Sequence, residues 1–321
     1  MIEGPENTLL KKVLDVVTTA GFETYTTDRS RRYCFDIFAK QNELILLIKT
    51  LVNIDCINEK QANELKFISS VFNAKSLVVG EKNRRQKLET DTIYLRYGLP
   101  AINVETLRHI LKDKVYPLIY AKRGGYYVKI NGQLLKKLRE QMGLSLGELA
   151  DLIGVSRRAI YEYERDKMDA TLETAISLEE VLNTSVLQPI EIFDWIFKFS
   201  LDMLLTPQSA FEQQIKKHFM RMGMQIMFTE YTPFDAVSSI RHDYLIAGIT
   251  KDVTKSFIVK KANEISYISK LTKHDAVVIT KDKFKKLTIS VPIISIPELK
   301  KIKDADEFLE TLVEKKMSSN E

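Results

Sequence analysis

Apolar positions at both ends of the chain follow alternating helix and strand periods. Residues 9–17 have helical spacing, and Gly21 ends that predicted helix. Residues 35–39 and 44–49 predict a β-hairpin across Gln41 and Asn42. The pattern continues with a helix over residues 62–72, a buried strand over 76–79, a last strand over 93–104 and a closing helix over 106–111. This order predicts a mixed α/β unit whose sheet is covered by helices on both faces.

The same pattern occurs a second time near the end of the chain. Residues 60–80 and 260–280 are identical at seven positions, where average composition predicts about one by chance. Other matched pairs keep the same order: Gly21 with Gly223, Phe35-Asp36 with Phe234-Asp235, Ile102 with Ile294 and Leu107 with Leu299. The sequence therefore predicts two copies of one α/β unit, residues 1–115 and 207–315, around a different central segment.

The central segment, residues 131–188, predicts four short helices. An apolar stripe marks the first: Leu134, Leu135, Leu138 and Met142, before Gly143 stops it. Ser145 and Glu148 form a capping-box pattern that starts the second. Gly154, Val155 and Ser156 predict the turn into the third. The third helix buries Ile160 and Tyr163, and residues 172–182 predict the fourth.

Residues 138–165 form a helix-turn-helix pattern and resemble the Cro/CI-type (XRE-like) repressor family. The small Ala150 where two helices cross, the Gly154 turn and the Ile160-x-x-Tyr163-Glu164 ending carry this resemblance. In that family an arginine of the first helix pairs with a glutamate near the end of the third. Arg139 and Glu164 match these positions, which implies a structural ion pair.

The resemblance also implies how such a protein reads DNA. A helix fits the major groove with its N-terminal residues against the base edges, where arginine pairs with guanine and glutamate accepts from cytosine. Arg157, Arg158 and Glu162 occupy these base-reading positions. The full set expected to contact DNA is Ser145, Ser156, Arg157, Arg158, Tyr161, Glu162, Arg165 and Lys167.

Two further basic features have alternative explanations. Residues 116–130 predict a hairpin across Gly124-Gly125, either a basic wing on the DNA backbone or a ribbon that packs between domains. Both copies carry a basic loop after the buried strand, residues 82–87 and 281–286, which is either solvated or a phosphate contact. The residues expected to contact phosphate are Lys122, Arg123, Lys129, Arg84 and Arg85.

Each flanking copy resembles the restriction-endonuclease-like fold. Active members hold a divalent metal with two carboxylates, and a lysine polarises the attacked phosphate. Asp36 and Lys49 match the first acid and the lysine, but Leu47 stands where the second acid belongs. The second copy keeps Asp235 and has neither acid nor lysine on the matching strand. We therefore expect no catalysis, although Glu64 and Glu264 are either migrated acids or ordinary solvated or capping glutamates.

Composition narrows the class of protein. The chain has 321 residues, enough for two or three domains, and 45% hydrophobic residues, which excludes disorder as its main state. The longest strongly apolar run, residues 44–48, cannot span a bilayer, and the N-terminus lacks a signal-peptide pattern. Cys34 and Cys56 provide no disulfide framework or zinc-site spacing. We expect a cytoplasmic protein without a metal, a cofactor or a membrane partner, whose net charge of +5 permits a polyanion.

The combination resembles a group of archaeal helix-turn-helix transcriptional regulators over nearly the whole chain. The first hypothesis is a sequence-specific regulator of transcription, a homodimer that reads a palindromic operator in double-stranded DNA. The second is a nuclease or DNA-processing protein, motivated by Asp36, Lys49 and Glu6. The third is a regulator with an effector between the two copies, although the sequence names no effector. The apolar residues 189–206 predict a linker helix and dimer contact, and residues 316–321 a frayed tail.

Overall fold

The computed structural model describes residues 4–28, 31–122, 124–195, 197, 206–240, 243–251, 254–283 and 289–317. The chain forms two compact units. Unit 1 contains Met1–Thr26, Ile37–Ala62 and Lys75–Lys198, and unit 2 contains Thr27–Asp36, Asn63–Ala74 and Phe199–Glu321. Two short segments of the first predicted copy, residues 27–36 and 63–74, therefore group with the second copy. Among the described residues, no helix is long and apolar enough to cross a membrane.

The described part of the N-terminal third forms α-helices and strands in alternation. They are α1 (Pro5–Thr19), β1 (Glu23–Thr26), β2 (Ile37–Gln41), β3 (Leu44–Asn53), α2 (Glu59–Val71), β4 (Lys75–Lys82), β5 (Thr92–Arg96), β6 (Leu99–Ile102) and α3 (Val104–Arg108). The strand order is β1-β2-β3-β4-β6-β5. β3, β4 and β6 are parallel, whereas β1 and β2 run antiparallel to their neighbours. This is the mixed α/β sheet that the hydrophobic pattern predicts.

Local sequence explains the boundaries of α1 and the turns of this sheet. Pro5 opens α1, and Gly21 follows its end with a φ of 87°. Leu9, Val13 and Val17 are completely buried and pack into a core with β2, β3 and β4. The single last strand expected over residues 93–104 is instead the antiparallel pair β5 and β6, because Tyr97 and Gly98 both have positive φ and form a tight turn.

The hairpin after α3 continues the same sheet. Its strands are β7 (Ile119–Lys122) and β8 (Gly125–Ile130), and β7 pairs in parallel with β5. The helical segment follows, with α4 (Gly132–Gln141), α5 (Leu146–Ile153), α6 (Arg157–Glu164), β9 (Ala170–Thr171), α7 (Leu172–Leu182) and β10 (Leu187–Gln188). β9 and β10 both pair with β8. The hairpin therefore packs directly on the helices, and Val128 and Ile130 belong to their core.

Unit 2 contains the second copy. Its elements are α8 (Ala210–Arg221), β11 (Gln225–Phe228), β12 (Ala236–Ile240), β13 (Asp243–Thr250), α9 (Lys255–Thr272), β14 (Asp275–Thr280), β15 (Ile293–Ser295), α10 (Ile296–Leu299) and α11 (Ala305–Met317). The order β11-β12-β13-β14-β15 repeats β1-β2-β3-β4-β6 with the same strand directions. Ile279 lies opposite Ile294 as Val79 lies opposite Ile102. The predicted repeat is confirmed at the level of strand register.

The prediction for the linker over residues 189–206 is wrong where the structure describes it. Residues Ile192–Asp194 form a 3-10 turn rather than a longer helix. Ile190 and Ile192 are buried in the core of the first copy, with Phe193 and Trp195 packed against it. Ile190 and Ile192 are thus covered by their own chain and are not available as a dimer contact, whereas Phe193 and Trp195 are partly exposed. Residues 196 and 198–205, and residues 318–321 of the predicted tail, lie outside the described part of the chain.

Candidate nucleic-acid interface

Two serine caps and one glycine orient α5 and α6. The Ser145 hydroxyl accepts from the Glu148 amide at 3.2 Å, and the Glu148 carboxylate accepts from the Ser145 amide at 2.7 Å. Gly154 follows α5 with a φ of 72°, in the left-handed region that glycine adopts without strain. The Ser156 hydroxyl then accepts from the Ala159 amide at 3.1 Å and starts α6. This turn presents the N-terminal end of α6 to solvent.

The two faces of α6 have opposite character. Ile160 and Tyr163 are buried in the helical core, whereas Arg157, Arg158 and Tyr161 are exposed. The structure brings four of the eight predicted DNA contacts around one surface depression of about 460 Å³. The depression is lined by Ser156, Arg158, Ala159, Glu162, Lys167 and Met168.

The remaining predicted contacts have other positions. Arg165 donates to the Tyr161 hydroxyl at 3.0 Å, and its guanidinium lies 5.2 Å from the Tyr161 ring centre. Arg157 is exposed at the first position of α6, and Ser145 is exposed before α5.

The apolar stripe predicted for the first helix of the central segment is wrong at one residue. Met142 was expected to face the core and is 49% exposed. It is the C-cap residue of α4, one position beyond the last helical residue.

Arg139 and Glu164 join α4 to the end of α6. The guanidinium donates from Nε to Glu164 Oε1 at 2.5 Å and from Nη2 to Oε2 at 3.2 Å. Its third group, Nη1, donates to the Leu144 carbonyl at 2.8 Å. The hydrogen bond to Glu164 raises the pKa of Arg139 above its ordinary value, so the guanidinium stays charged. These bonds hold the C-terminal end of α6 against α4 and the Leu144 carbonyl.

The predicted phosphate contacts separate into two groups. Arg84, Arg85 and Lys122 line a cleft of about 900 Å³ in unit 1, whereas Lys129 is half-buried in β8 and does not line it. The Lys122 ammonium lies 3.9 Å from the Tyr127 ring centre and donates to the Tyr120 hydroxyl at 3.2 Å. Arg123 and residues 284–286 of the second basic loop lie outside the described residues.

The nuclease-like positions of the first copy are buried. Leu47 is completely inaccessible and pairs across the sheet with Phe38, and Asp36 and Lys49 are 5% and 7% exposed. Among the described residues, no group of three or more His, Cys, Asp or Glu side chains is arranged to hold a metal ion. The Glu64 carboxylate accepts from the amides of Glu230 and Tyr231 at 2.8 and 2.7 Å. Glu64 therefore holds a loop of unit 2, as a capping glutamate does.

The second copy contains a lysine that sequence reasoning missed. Gly248 lies opposite Val278 as Lys49 lies opposite Val78, so this copy lacks a lysine on the strand. Lys261 of α9 lies against that glycine, with its Cγ 3.2 Å from the position of an added Cβ. Its ammonium contacts both oxygens of Asp235, at 2.7 and 2.5 Å. The repeat aligns Lys261 with Gln61 and therefore carries no signal for a lysine at this place.

Asp235 is further held by its own strand. Its Oδ2 accepts from the Ile249 amide at 2.5 Å. Tyr33 and Glu264 complete a polar cluster in unit 2, and burial raises the pKa of both side chains. The carboxylate of Asp235 is thus engaged by an ammonium and an amide, as in a structural ion pair.

Comparison with known proteins defines the class. The model of the PD-(D/E)XK superfamily domain matches residues 6–117, and a helix-turn-helix model matches residues 135–188. The chain therefore combines an endonuclease-like domain with an XRE-like DNA-binding domain.

Proteins from archaea are similar to this chain over nearly its whole length. An HTH-type transcriptional regulatory protein of Thermococcus kodakarensis is 34% identical over 304 residues, 95% of this chain and 94% of that protein. Its counterpart in Methanobrevibacter smithii is 36% identical over 313 residues, 96% and 97% of the two chains. The chain belongs to this family of HTH-type transcriptional regulatory proteins.

Solved structures match a short part of the chain. The restriction-modification controller protein of Aeromonas hydrophila is 33% identical, covering 17% of this chain and 82% of that one with a TM-score of 0.16. The biofilm regulator SinR in complex with DNA is 31% identical, covering 18% and 92% with a TM-score of 0.17.

Proposed function

We propose that the protein is a homodimeric regulator that reads a palindromic operator through α6. The exposed N-terminal end of α6, with two consecutive arginines beside the Ser156 cap, is the observation that supports this proposal. An α-helix presented in this way enters the major groove with its first residues against base edges. Arg157 and Arg158 bind guanine, and Glu162 accepts from cytosine.

The other residues around α6 fix its position on the DNA backbone. Ser145 and Ser156 stand at the N-terminal ends of α5 and α6, where uncapped amides and the helix dipole favour phosphate. Tyr161 and Arg165 form one exposed pair, and Lys167 follows α6 beside the same depression. These contacts carry no base information and contribute salt-dependent affinity.

Selection of bound duplexes from a random DNA pool tests this function. The intact chain is expected to select a palindromic motif, and Arg157→Ala with Arg158→Ala is expected to lose it, at about 1–3 kcal/mol per arginine. A matched control, Lys11→Ala with Lys12→Ala on α1, removes the same charge from exposed positions and should keep the motif. Retention of the motif by the α6 variant would contradict the assignment of base readers.

We further propose that neither endonuclease-like copy cleaves DNA. The buried Leu47 of the first copy and the Asp235–Lys261 pair of the second support this proposal. Plasmid and linear DNA should stay intact with Mg²⁺ or Mn²⁺ at micromolar protein. Metal-dependent cleavage that disappears in Asp36→Ala would instead support the nuclease hypothesis.

A further inference from the structure

A cleft in unit 1 collects cationic and aromatic side chains, and no residue of α6 lines it. It lies between the loop after β4, the turn between β5 and β6, and the tip of the β7–β8 hairpin, with a volume of about 900 Å³. Its cations are Arg84, Arg85, Arg96 and Lys122, and its aromatic residues are Tyr94, Tyr97 and Tyr126. Clefts that bind small molecules usually have volumes of about 300–1,000 Å³.

One carboxylate in the lining, Asp55, neutralises Arg96 and holds the loop after β4. Asp55 pairs with Arg96 and accepts from the Arg84 amide at 2.8 Å. Burial alone would raise the pKa of Asp55, but these hydrogen bonds and the nearby positive charges outweigh burial, and its pKa is lowered. Among the described residues, no carboxylate pairs with the side chains of Arg84, Arg85 or Lys122. Within the described part of the chain, the cleft therefore keeps the guanidinium groups of Arg84 and Arg85 without a carboxylate partner, while the Lys122 ammonium at its edge lies against Tyr120 and Tyr127.

We propose that this cleft binds the phosphate groups of a nucleotide. Guanidinium groups bind phosphate oxygens in a bidentate manner, and Lys122, at the end of β7, adds a point charge at the edge of the cleft. Tyr97 is 50% exposed at the turn between β5 and β6, where its ring offers a stacking surface for a base. Basic residues expected to touch phosphate thus meet in one concave site, away from the depression beside α6.

A chain of hydrogen bonds leads from this cleft to the segment after α6. The Lys122 ammonium donates to the Tyr120 hydroxyl at 3.2 Å, and that hydroxyl donates to Asp169 Oδ2 at 2.5 Å. Asp169 precedes β9, which pairs with β8. A phosphate that binds Lys122 competes with Tyr120 for its ammonium and weakens the hold on Asp169. Bound nucleotide is therefore expected to lower DNA affinity, a step that rests on the proposed role of α6.

Calorimetric titration of the full chain without DNA tests the site, with ATP, GTP and inorganic pyrophosphate as probes. At least one probe should bind saturably, and Arg84→Ala with Arg85→Ala should weaken that binding tenfold or more. The control Lys11→Ala with Lys12→Ala, outside the cleft lining, should bind as the wild type does. No saturable binding by any probe would overturn the proposal. So would an arginine variant that only loses affinity for duplex DNA, because the phosphates would then be those of the DNA backbone.

Tyr120→Phe tests the coupling, since it removes the hydroxyl that joins Lys122 to Asp169 and keeps the ring. In the wild type, the probe that binds should lower affinity for the selected operator threefold or more. Tyr120→Phe should bind the probe with an affinity within twofold of the wild-type value. Adding the probe should not change the affinity of Tyr120→Phe for the operator. An unchanged DNA affinity in the wild type would disprove the coupling but not the site. Probe binding without any operator selection by α6 would instead contradict the proposed function alone.

Discussion

The Arg139–Glu164 ion pair lies where both side chains are nearly excluded from water, with 10% and 8% of their surfaces exposed. Removing such charges from water costs several kcal/mol, which the paired hydrogen bonds and the Leu144 carbonyl offset. If one side chain of the pair is removed, the other charge stays buried, and the hydrogen bonds that offset its removal from water are lost. The pair therefore fixes the end of α6 more than it adds net stability.

Truncation of either partner should destabilise the helical segment. Arg139→Ala or Glu164→Ala is expected to lower the free energy of unfolding by about 3–5 kcal/mol, measured by urea denaturation of the full chain. The double variant Arg139→Met with Glu164→Leu removes both charges and keeps apolar volume, so it should lose much less. If the single and double variants lose the same free energy of unfolding, lost packing and not the unpaired charge explains the destabilisation.

Lys261 shows which residues a sequence motif cannot find. A search for a lysine on the strand after Asp235 fails, because the matching position is Gly248. The side chain arrives from α9, and only the folded sheet brings helix and strand together. Arg139 and Glu164, by contrast, were predictable, because the resemblance to the Cro/CI-type family implies that residues at these two positions pair.

At the scale of elements, the caps of α5 and α6 were predictable because each depends on residues within four positions along the chain. The pairing of β7 with β5 was not, since it joins segments about 25 residues apart through backbone groups that carry no side-chain signature. The end of α3 was also missed. The helix continues there into one π-helical turn, His109–Asp113.

Ser156 allows helix stability and DNA contact to be separated. Ser156→Ala removes the cap and should cost about 1 kcal/mol of stability. Ser156→Asp keeps a capping oxygen and places a negative charge at the helix N-terminus, which the helix dipole favours. The aspartate variant should therefore unfold near the wild-type temperature, yet bind operator DNA at least tenfold more weakly, a loss of about 1.4 kcal/mol or more.

Thermal unfolding and DNA titration of the three proteins decide between the two roles of Ser156. Loss of DNA affinity in Ser156→Asp at unchanged stability supports a phosphate beside α6. Wild-type affinity in that variant would mean that no phosphate approaches this helix end.

At the scale of the whole molecule, strand register supports the repeat, but the grouping of the chain was not predictable. Residues 63–74 belong by sequence to the first copy and group with unit 2, where Phe72 lies 6.0 Å from Phe234. Hydrophobic periodicity predicts that one face of a helix is buried, but it does not identify the element that covers this face. The same limit explains the linker, whose apolar residues Ile190 and Ile192 suggested a dimer surface and instead complete an internal core.

The proposed dimer makes a geometric prediction about its operator. Two helices α6 related by a twofold axis would read half-sites about 34 Å apart, one turn of DNA. The chain of 37.0 kDa should therefore sediment at twice that mass at micromolar concentration. Insertion of about five base pairs, half a turn, between the half-sites rotates one to the far side of the duplex. It should weaken binding at least tenfold, and insertion of a full turn should restore part of the loss. A monomeric mass with equal tolerance of both insertions would show that each chain reads a single site.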